Sequence, residues 1–141
     1  MGRILTGHAG STEKSIIMLG ITPNTYRTGK IAEDLACRFL NRQGLKLLTK
    51  NFRSRRGEID LIMQDGDIIV FVEVRSRKNN QVMNVIETID PGKRARIIQT
   101  SQQYLQSKII YNQRACRFDI VLISGQLDAA EIEWIKNAFE T

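Results

Sequence analysis

The chain has 141 residues, 42% of them hydrophobic, which suits one soluble domain with a core of its own. Its 21 basic residues against 15 acidic ones give a net charge of +6, which favours a polyanionic partner. The sequence excludes several classes: no apolar run approaches the ~20 residues of a membrane span, and two distant cysteines with a single histidine argue against a zinc site and a catalytic triad.

The N-terminal segment differs from the rest of the chain in its patterning. Residues 1–25 show neither helical nor strand periodicity and contain many Gly, Ser and Thr, so we expect a flexible extension there. Residues 26–141 are then expected to form a single domain. No small-residue cleavage site follows the short apolar run near the start, so the sequence predicts a cytoplasmic protein without a signal peptide.

The first regular element is predicted to be an amphipathic helix over 28–43, where apolar residues recur at helical spacing. Gly44 follows it as a C-terminal cap. Glu33 lies at the border of the apolar stripe, ~110° from its centre, which aims its carboxylate at the edge of whatever the helix packs on. An ordinary solvated glutamate in the first turn, favoured by the helix dipole, fits the same pattern.

Three strands follow over 45–52, 58–63 and 67–75, and we expect them to form an antiparallel meander. Between the last two strands lies Asp65-Gly66, and an Asp-Gly pair flanked by apolar runs is the strongest short-range signal for a hairpin. A two-residue turn centred on this pair fixes the register of the hairpin. A three-residue loop would instead reverse the faces of one strand.

The two-residue turn predicts one polar face on the hairpin. It sets Asp60 opposite Phe71. It also sets Glu58 opposite Glu73, with Arg75 on the same side, because side chains alternate along a strand with a period of two. The opposite face is then apolar and consists of Ile59, Leu61, Val70, Val72 and Val74.

Carboxylates crowded on one face repel one another and require a cation. Arg75 is one candidate, and a divalent ion is another. Mg²⁺ is commonly held by one or two carboxylates, with water and phosphate oxygens completing its shell, so the pattern suits a metal site for phosphate chemistry. From spacing alone, the alternative is a solvated ladder of surface ion pairs that contributes little to stability.

A second helix is predicted to begin at Asp90-Pro91, an N-cap residue followed by proline in the first turn, and to continue to about Ser107. Lys93 and Arg94 lie in its first turn, where cations oppose the helix dipole. A bound anion such as phosphate would relieve that conflict. Flexible, solvated side chains are the alternative.

The remaining elements complete an α/β fold. The nearly continuous apolar run over 117–123 predicts a central strand covered on both faces. A short final strand is predicted over 131–135, where Ile132 and Trp134 alternate with charged residues. The order is therefore αβββαβ with a terminal strand, which implies a mixed sheet flanked by helices.

Much of the positive charge is concentrated in three groups beside the predicted acidic strands. Isolated basic runs are commonly just solvated surface, but their grouping around one site favours binding of nucleic acid. The groups are Lys50, Arg53, Arg55 and Arg56; Arg75, Arg77 and Lys78; and Lys93, Arg94 and Arg96.

Several ordered motifs together resemble the bacterial UPF0102 family, whose fold is that of restriction endonucleases and archaeal Holliday junction resolvases. The resemblance extends from about Gly29 to Phe139. The motifs are Gly29-Lys30-Ile31-Ala32-Glu33-Asp34-Leu35-Ala36, Asn51-Phe52-Arg53, Gly57-Glu58-Ile59-Asp60-Leu61-Ile62, Phe71-Val72-Glu73-Val74-Arg75, Lys93 at the start of a helix, Arg117-Phe118-Asp119 and Asn137-Ala138-Phe139.

The resemblance implies a divalent-metal site and a role for each of its residues. Nucleases of this superfamily use an Asp, then a Glu-x-Lys pair on the next strand and often a Glu from the first helix. Carried over, this implies Asp60 and Glu73 as ligands of Mg²⁺ or Mn²⁺ and Glu33 as a supporting carboxylate. Arg75 stands at the lysine position, and Lys78 or Lys93 is an alternative source of an amine.

Three functions stay open at this point. The first is a Mg²⁺- or Mn²⁺-dependent endonuclease that acts on DNA, including branched DNA, and binds its backbone through Arg53, Arg55, Arg56, Arg77, Lys78, Lys93 and Arg94. The second is a non-catalytic nucleic-acid-binding module that retains the nuclease fold. The third is an adaptor for an acidic protein. A homodimer is one alternative for the assembly, because resolvase-like enzymes act as dimers.

Overall fold

The computed structural model describes residues 2–5, 25–77, 89–111, 113–125 and 129–140. Six strands form one sheet in the order β1-β6-β5-β4-β3-β2. The elements are β1 (Gly2–Leu5), α1 (Thr25–Arg42), β2 (Lys46–Arg53), β3 (Glu58–Asp65), β4 (Ile68–Arg77), α2 (Pro91–Ser107), a short 3₁₀ helix (Ile109–Tyr111), β5 (Cys116–Ser124) and β6 (Glu131–Phe139).

The sheet is mixed and is covered by one helix on each face. Strands β4 and β5 run parallel and all other neighbours are antiparallel. Apolar residues of α1, such as Phe39 and Leu40, pack with Leu61 and Val72 on one face. Residues of α2 pack with the opposite face. This confirms the α/β class and the αβββαβ core, with helices flanking a mixed sheet.

Strand β5 lies in the middle of the sheet, between β4 and β6. Residues 118–124 are all buried, as expected for a strand with a parallel neighbour and a helix on either side. The parallel pair requires a crossover, and α2 lies within it. The prediction of a central strand is confirmed.

The hairpin turn lies one residue later than predicted. Gly66 and Asp67 form the turn and Asp65 pairs with Ile68, because Gly66, with φ of 59°, occupies the first turn position, where a type II′ turn needs positive φ. Phe71 therefore pairs with Ile62. The predicted pairing of Phe71 with Asp60 is wrong.

The change of register amounts to two residues, so most side chains keep their predicted faces. Leu61, Val70 and Val72 belong to the apolar cluster under α1, as expected. Ile59 is the exception, because it packs in the cluster under α2. The pairing of Glu58 with Glu73 is also wrong, since the β3–β4 ladder ends before it.

A reversal of faces in β2 accompanies the reversal in β3. Lys50 forms an ion pair with Asp34 of α1 at 2.7 Å, whereas Phe52, two residues later, packs against Tyr104 of α2. Two residues that should share a face lie on opposite faces because Asn51 between them has a left-handed φ of 53°. Asn tolerates that conformation better than other side chains do. Both strands therefore exchange faces beside the loop that joins them.

The N-terminal residues contribute an edge strand that the sequence did not predict. Gly2–Leu5 pairs antiparallel with β6. Residues 6–24 lie outside the described part, so a flexible extension there stays a prediction. Within the described residues, neither helix has the length and apolar character needed to cross a membrane.

Asp119 is a fully buried carboxylate that fixes β5 to β6. It accepts hydrogen bonds from Arg117 Nε at 3.1 Å, Trp134 Nε1 at 3.0 Å and the backbone N–H of Asn137 at 2.9 Å. Asn137 has a left-handed φ of 51° and lies where the β5–β6 register shifts. The Arg117-Phe118-Asp119 and Asn137-Ala138-Phe139 motifs thus meet in one structural network.

We expect Asp119→Asn to lower the free energy of unfolding by about 2 kcal/mol, because the partly buried guanidinium of Arg117 loses one of its two carboxylate partners and keeps only Asp65. Urea denaturation measures the change. Asp67→Asn is the control, since that exposed carboxylate also pairs with an arginine, Arg114, at 3.1 Å and should change stability by less than about 0.5 kcal/mol. Equal losses in the two variants would contradict this assignment.

Candidate active site

The candidate site lies where strands β3 and β4 separate. Their ladder extends from Asp65–Ile68 to Leu61–Val72 and goes no further. Beyond that point Asp60 Oδ2 accepts a hydrogen bond from the backbone N–H of Val74 at 2.8 Å. The side chain thus takes the place of a ladder carbonyl, which holds the carboxyl group of Asp60 in the gap between the strands.

Burial and neighbouring carboxylates make Asp60 a weak acid. Burial has the largest effect and the charge of Glu73 the next, and together they raise the pKa of Asp60 from 3.8 to about 7, although the hydrogen bond from Val74 lowers it. The charges of Glu33 and Glu58 raise this pKa further. A cation bound at this position would relieve the repulsion and favour the ionised carboxylate.

Glu73 is a residue of β4 and lies near Asp60 of β3. Its side chain is almost completely buried, with 9% of its surface exposed. Lys93 Nζ, from the first turn of α2, is 2.9 Å from its Oε1. Arg75 Nε is 3.4 Å from the same oxygen. The structure therefore brings together Asp60, Glu73, Arg75 and Lys93, and α2 delivers an amine to the carboxylate.

The N-cap of α2 fixes the position of Lys93. Asp90 precedes the helix in an extended conformation, and its Oδ1 accepts a hydrogen bond from the backbone N–H of Lys93 at 2.8 Å. Pro91 starts the helix, so the predicted beginning is confirmed. A strong local signal in the sequence thus determines where an amine of the site lies.

Glu33 approaches the same region from α1. Its side chain is 14% exposed, and Lys30 Nζ lies 3.6 Å from its Oε2. That oxygen is buried and makes no hydrogen bond among the described residues. A buried acceptor without a donor is costly, so this oxygen is suited to a further ligand such as a cation or an ordered water.

The donor set suits a hard divalent ion. Among the residues that the structure describes, no three His, Cys, Asp or Glu side chains already surround a cation position. Mg²⁺ and Mn²⁺ prefer oxygen ligands, and one or two carboxylates are enough when water and phosphate oxygens complete the shell. Asp60 and Glu73 supply two carboxylates, so the residues present fit such an ion, and the charge of Glu33 is close enough to raise the pKa of Asp60.

The comparisons with known sequences agree on one family. The model of the family described as "Uncharacterised protein family UPF0102" matches residues 32–123. The chain belongs to the UPF0102 family. Similar relatives include a UPF0102 protein of Coxiella burnetii, 47% identical over 116 residues that make up 82% of this chain and 94% of the relative. Another, from Pseudomonas aeruginosa, is 46% identical over 114 residues, 79% of this chain and 91% of its own.

Two of the basic residues predicted to bind nucleic acid have partners within this UPF0102 chain. Arg53 Nε lies 3.5 Å from Glu58 Oε2. Arg94 Nε donates to the backbone oxygen of Ile89 at 3.0 Å, and its guanidinium lies 5.9 Å from the centre of the Phe139 ring. These contacts give both arginines structural roles, so they are weaker candidates for contacts with phosphate.

The other predicted basic residues fall into two groups. Arg55 and Arg56 are exposed in the loop between β2 and β3. Arg77 is the last residue of β4, and nothing is described of its side chain. Lys78 lies outside the described residues. The roles of Arg77 and Lys78 stay predictions.

Sequence patterns did not reveal the gap that holds Asp60. The alternation of side chains along a strand predicts which face each side chain occupies. It does not predict where the ladder between two strands ends. Nor does it predict that the backbone N–H of Val74 donates to the side chain of Asp60. The motif Asn51-Phe52-Arg53 contained a signal, because an Asn inside a strand is unfavourable unless the backbone turns there.

Proposed function

We propose that the protein is a divalent-metal-dependent nuclease that hydrolyses phosphodiester bonds in DNA. The observation that carries the proposal is the pair of carboxylates at the gap in the sheet, the partly buried one of Asp60 and the buried one of Glu73, with Lys93 and Arg75 at the Glu73 carboxylate. Neighbouring carboxylates beside guanidinium and ammonium groups suit binding of both a cation and a phosphate. Net charge of +6 suits a polyanionic substrate.

Asp60 and Glu73 would hold the ion. A bound divalent ion supplies Lewis-acid polarisation of a phosphoryl oxygen and increases the acidity of a water molecule. Asp60 is oriented for this role because its Oδ2 is fixed by the Val74 N–H, which leaves Oδ1 for the ligand. Glu33 adds negative charge from α1, which strengthens the attraction for a cation.

Arg75 and Lys93 have different roles in the proposed site. A guanidinium stays protonated in proteins, so Arg75 is suited to bind phosphate and to stabilise negative charge as it develops there. Its Nε is buried and, although it lies 3.4 Å from Glu73 Oε1, makes no hydrogen bond with a described residue. Lys93 Nζ, 2.9 Å from Glu73 Oε1, orients that carboxylate and is the amine nearest to it.

We expect Lys93→Ala to lower kcat for cleavage about 10- to 100-fold with little change in KM, because Glu73 loses the group that orients it. Steady-state cleavage of a labelled DNA measures both constants. Lys46→Ala is the control, since Lys46 is exposed at the start of β2, and it should leave both constants within about twofold. A loss confined to KM would contradict an orienting role for Lys93.

The proposal is tested with purified protein on duplex, single-stranded and branched DNA and on RNA, each with Mg²⁺ or Mn²⁺. Cleavage that requires the metal supports the proposal. Binding of DNA without cleavage of any substrate would favour a second candidate, a non-catalytic binding module. The observation that favours this second function is Arg75 at the lysine position, because arginine cannot accept a proton from the attacking water.

A further inference from the structure

The loop between β2 and β3 is closed on itself by its own hydrogen bonds. The backbone N–H of Ser54 donates to the backbone oxygen of Gly57 at 2.9 Å. The backbone N–H of Arg56 donates to Ser54 Oγ at 3.0 Å. These bonds restrict the tip of the loop, so Arg55 and Arg56 project from a backbone that is already ordered.

The same loop is fastened to helix α2. Ser54 Oγ lies 3.3 Å from Thr100 Oγ1, and Thr100 is fully buried. Gly57 packs against the helix so closely that an added Cβ would lie 3.4 Å from Thr100 Oγ1 and 3.5 Å from Cβ of Arg96. Arg96 therefore emerges from the helix directly beside the loop that carries Arg55 and Arg56.

Arg55, Arg56 and Arg96 are exposed, and none forms an ion pair with another described residue. Neighbouring basic side chains behave differently, since Lys50 pairs with Asp34 and Arg53 with Glu58. Three like charges held together without an acidic partner repel one another. A polyanion on this surface would remove that repulsion.

The position of the three arginines relates them to the candidate active site. Arg56 precedes Asp60 by four residues, which is at most ~13 Å along an extended chain. Arg96 follows Lys93 by three residues, or ~4.5 Å along the helix axis. Successive phosphates of one strand in a duplex advance by ~3.4 Å along its axis. A strand bound at Glu73 thus reaches the arginines within ~4 nucleotides.

We propose that Arg55, Arg56 and Arg96, here called the loop–helix surface, bind the phosphates of a nucleic-acid strand within about four nucleotides of the bond that is cleaved. Guanidinium groups match phosphate oxygens in a bidentate geometry. The substrate is then a polynucleotide that extends beyond the active site. This inference rests on the proposed function and adds the surface over which the substrate strand continues beyond the active site.

The test compares two triple variants that lose the same charge. R55Q/R56Q/R96Q removes the loop–helix surface. R38Q/R42Q/K46Q removes three exposed basic residues of α1 and β2 that likewise have no described ion pair. Binding of a fluorescein-labelled duplex of 20 base pairs is measured by anisotropy at several salt concentrations, without divalent metal so that no cleavage occurs. Circular dichroism spectra confirm that both variants fold.

We expect the loop–helix variant to bind at least about 10-fold more weakly, and its slope of log K against log salt to be smaller by about 2 to 3, since each lost phosphate contact contributes about 0.9. The control variant should keep a slope closer to that of the wild type. Equal effects in the two variants, or an unchanged slope in both, would overturn the inference.

A second comparison separates this inference from the proposed function. In one outcome the wild type cleaves the duplex, but R55Q/R56Q/R96Q binds DNA with an unchanged salt dependence. That outcome contradicts the loop–helix surface and leaves the proposed nuclease function intact. In the other outcome the wild type cleaves no substrate, but the triple variant still shows a smaller salt dependence of binding. That outcome contradicts the proposed nuclease function and supports the loop–helix surface. Stronger binding of the wild type to anionic lipid vesicles or a polyglutamate peptide than to the duplex would overturn nucleic acid as the partner.

Discussion

Glu73→Gln is expected to lower the rate of DNA cleavage about 1000-fold, because the amide removes one of two carboxylates available to a divalent ion. A factor of this size corresponds to about 4 kcal/mol in the activation free energy, which is within the several kcal/mol that a metal ion supplies to phosphoryl chemistry. Lys93 and Arg75 would also lose the charge that they share at Oε1. Single-turnover cleavage with saturating Mn²⁺ measures the rate.

The control for this prediction is Glu58→Gln. Glu58 is an acidic residue of the neighbouring strand, β3. It is exposed, and its Oε2 pairs with Arg53 Nε at 3.5 Å. We expect the rate of this variant to lie within about twofold of wild type. Undiminished cleavage by Glu73→Gln, or an equal decrease in both variants, would remove Glu73 from the active site.

Asp60→Asn is expected to lower the rate of DNA cleavage by a factor similar to that of Glu73→Gln. The same substitution should stabilise the folded protein at alkaline pH. The folded pKa is about 7 against 3.8 for the ordinary group, so the folded state binds more protons between these values and the free energy of unfolding decreases as pH rises through them. Below both pKa values the carboxyl group is neutral in the folded and in the unfolded state, so its ionisation does not lower the free energy of unfolding. Asn keeps an oxygen that can accept the N–H of Val74 and never ionises.

The pH dependence gives this prediction its measurement. Relative to wild type, we expect Asp60→Asn to gain about 2 kcal/mol more in the free energy of unfolding at pH 8 than at pH 5, because the pKa shift corresponds to ~1.4 kcal/mol per unit. Urea denaturation at the two pH values, without divalent metal, measures the difference. A stability difference that is the same at both values would show that Asp60 is not held as a weak acid.

The elements that could be predicted from the sequence are those with strong local signals. Asp90 and Pro91 marked the start of α2 to the residue, because an N-cap acts on backbone groups within one turn. The hairpin was predicted, but Gly66 could occupy either central turn position. The faces of Glu73 and Arg75 survived that error because the register changed by an even number of residues.

The features that escaped prediction depend on contacts between distant segments. The apolar run 117–123 contains the buried carboxylate of Asp119. Hydrogen bonds from Arg117, Trp134 and Asn137 offset the cost of its burial, and the last two residues lie on another strand. The left-handed Asn51 reverses faces in the middle of a strand, which strict alternation does not anticipate. Carboxylates were therefore predicted on one face, whereas Asp60 lies in the gap between β3 and β4.

The central claim is that Asp60 and Glu73 together bind a divalent cation, and calorimetric titration with Mn²⁺ at pH 8 tests it most directly. Wild type should take up Mn²⁺ and release heat. The double variant Asp60→Asn/Glu73→Gln should show no uptake, although it is folded. Uptake by the double variant equal to that of wild type, or none by folded wild type in the presence or absence of DNA, would contradict the claim.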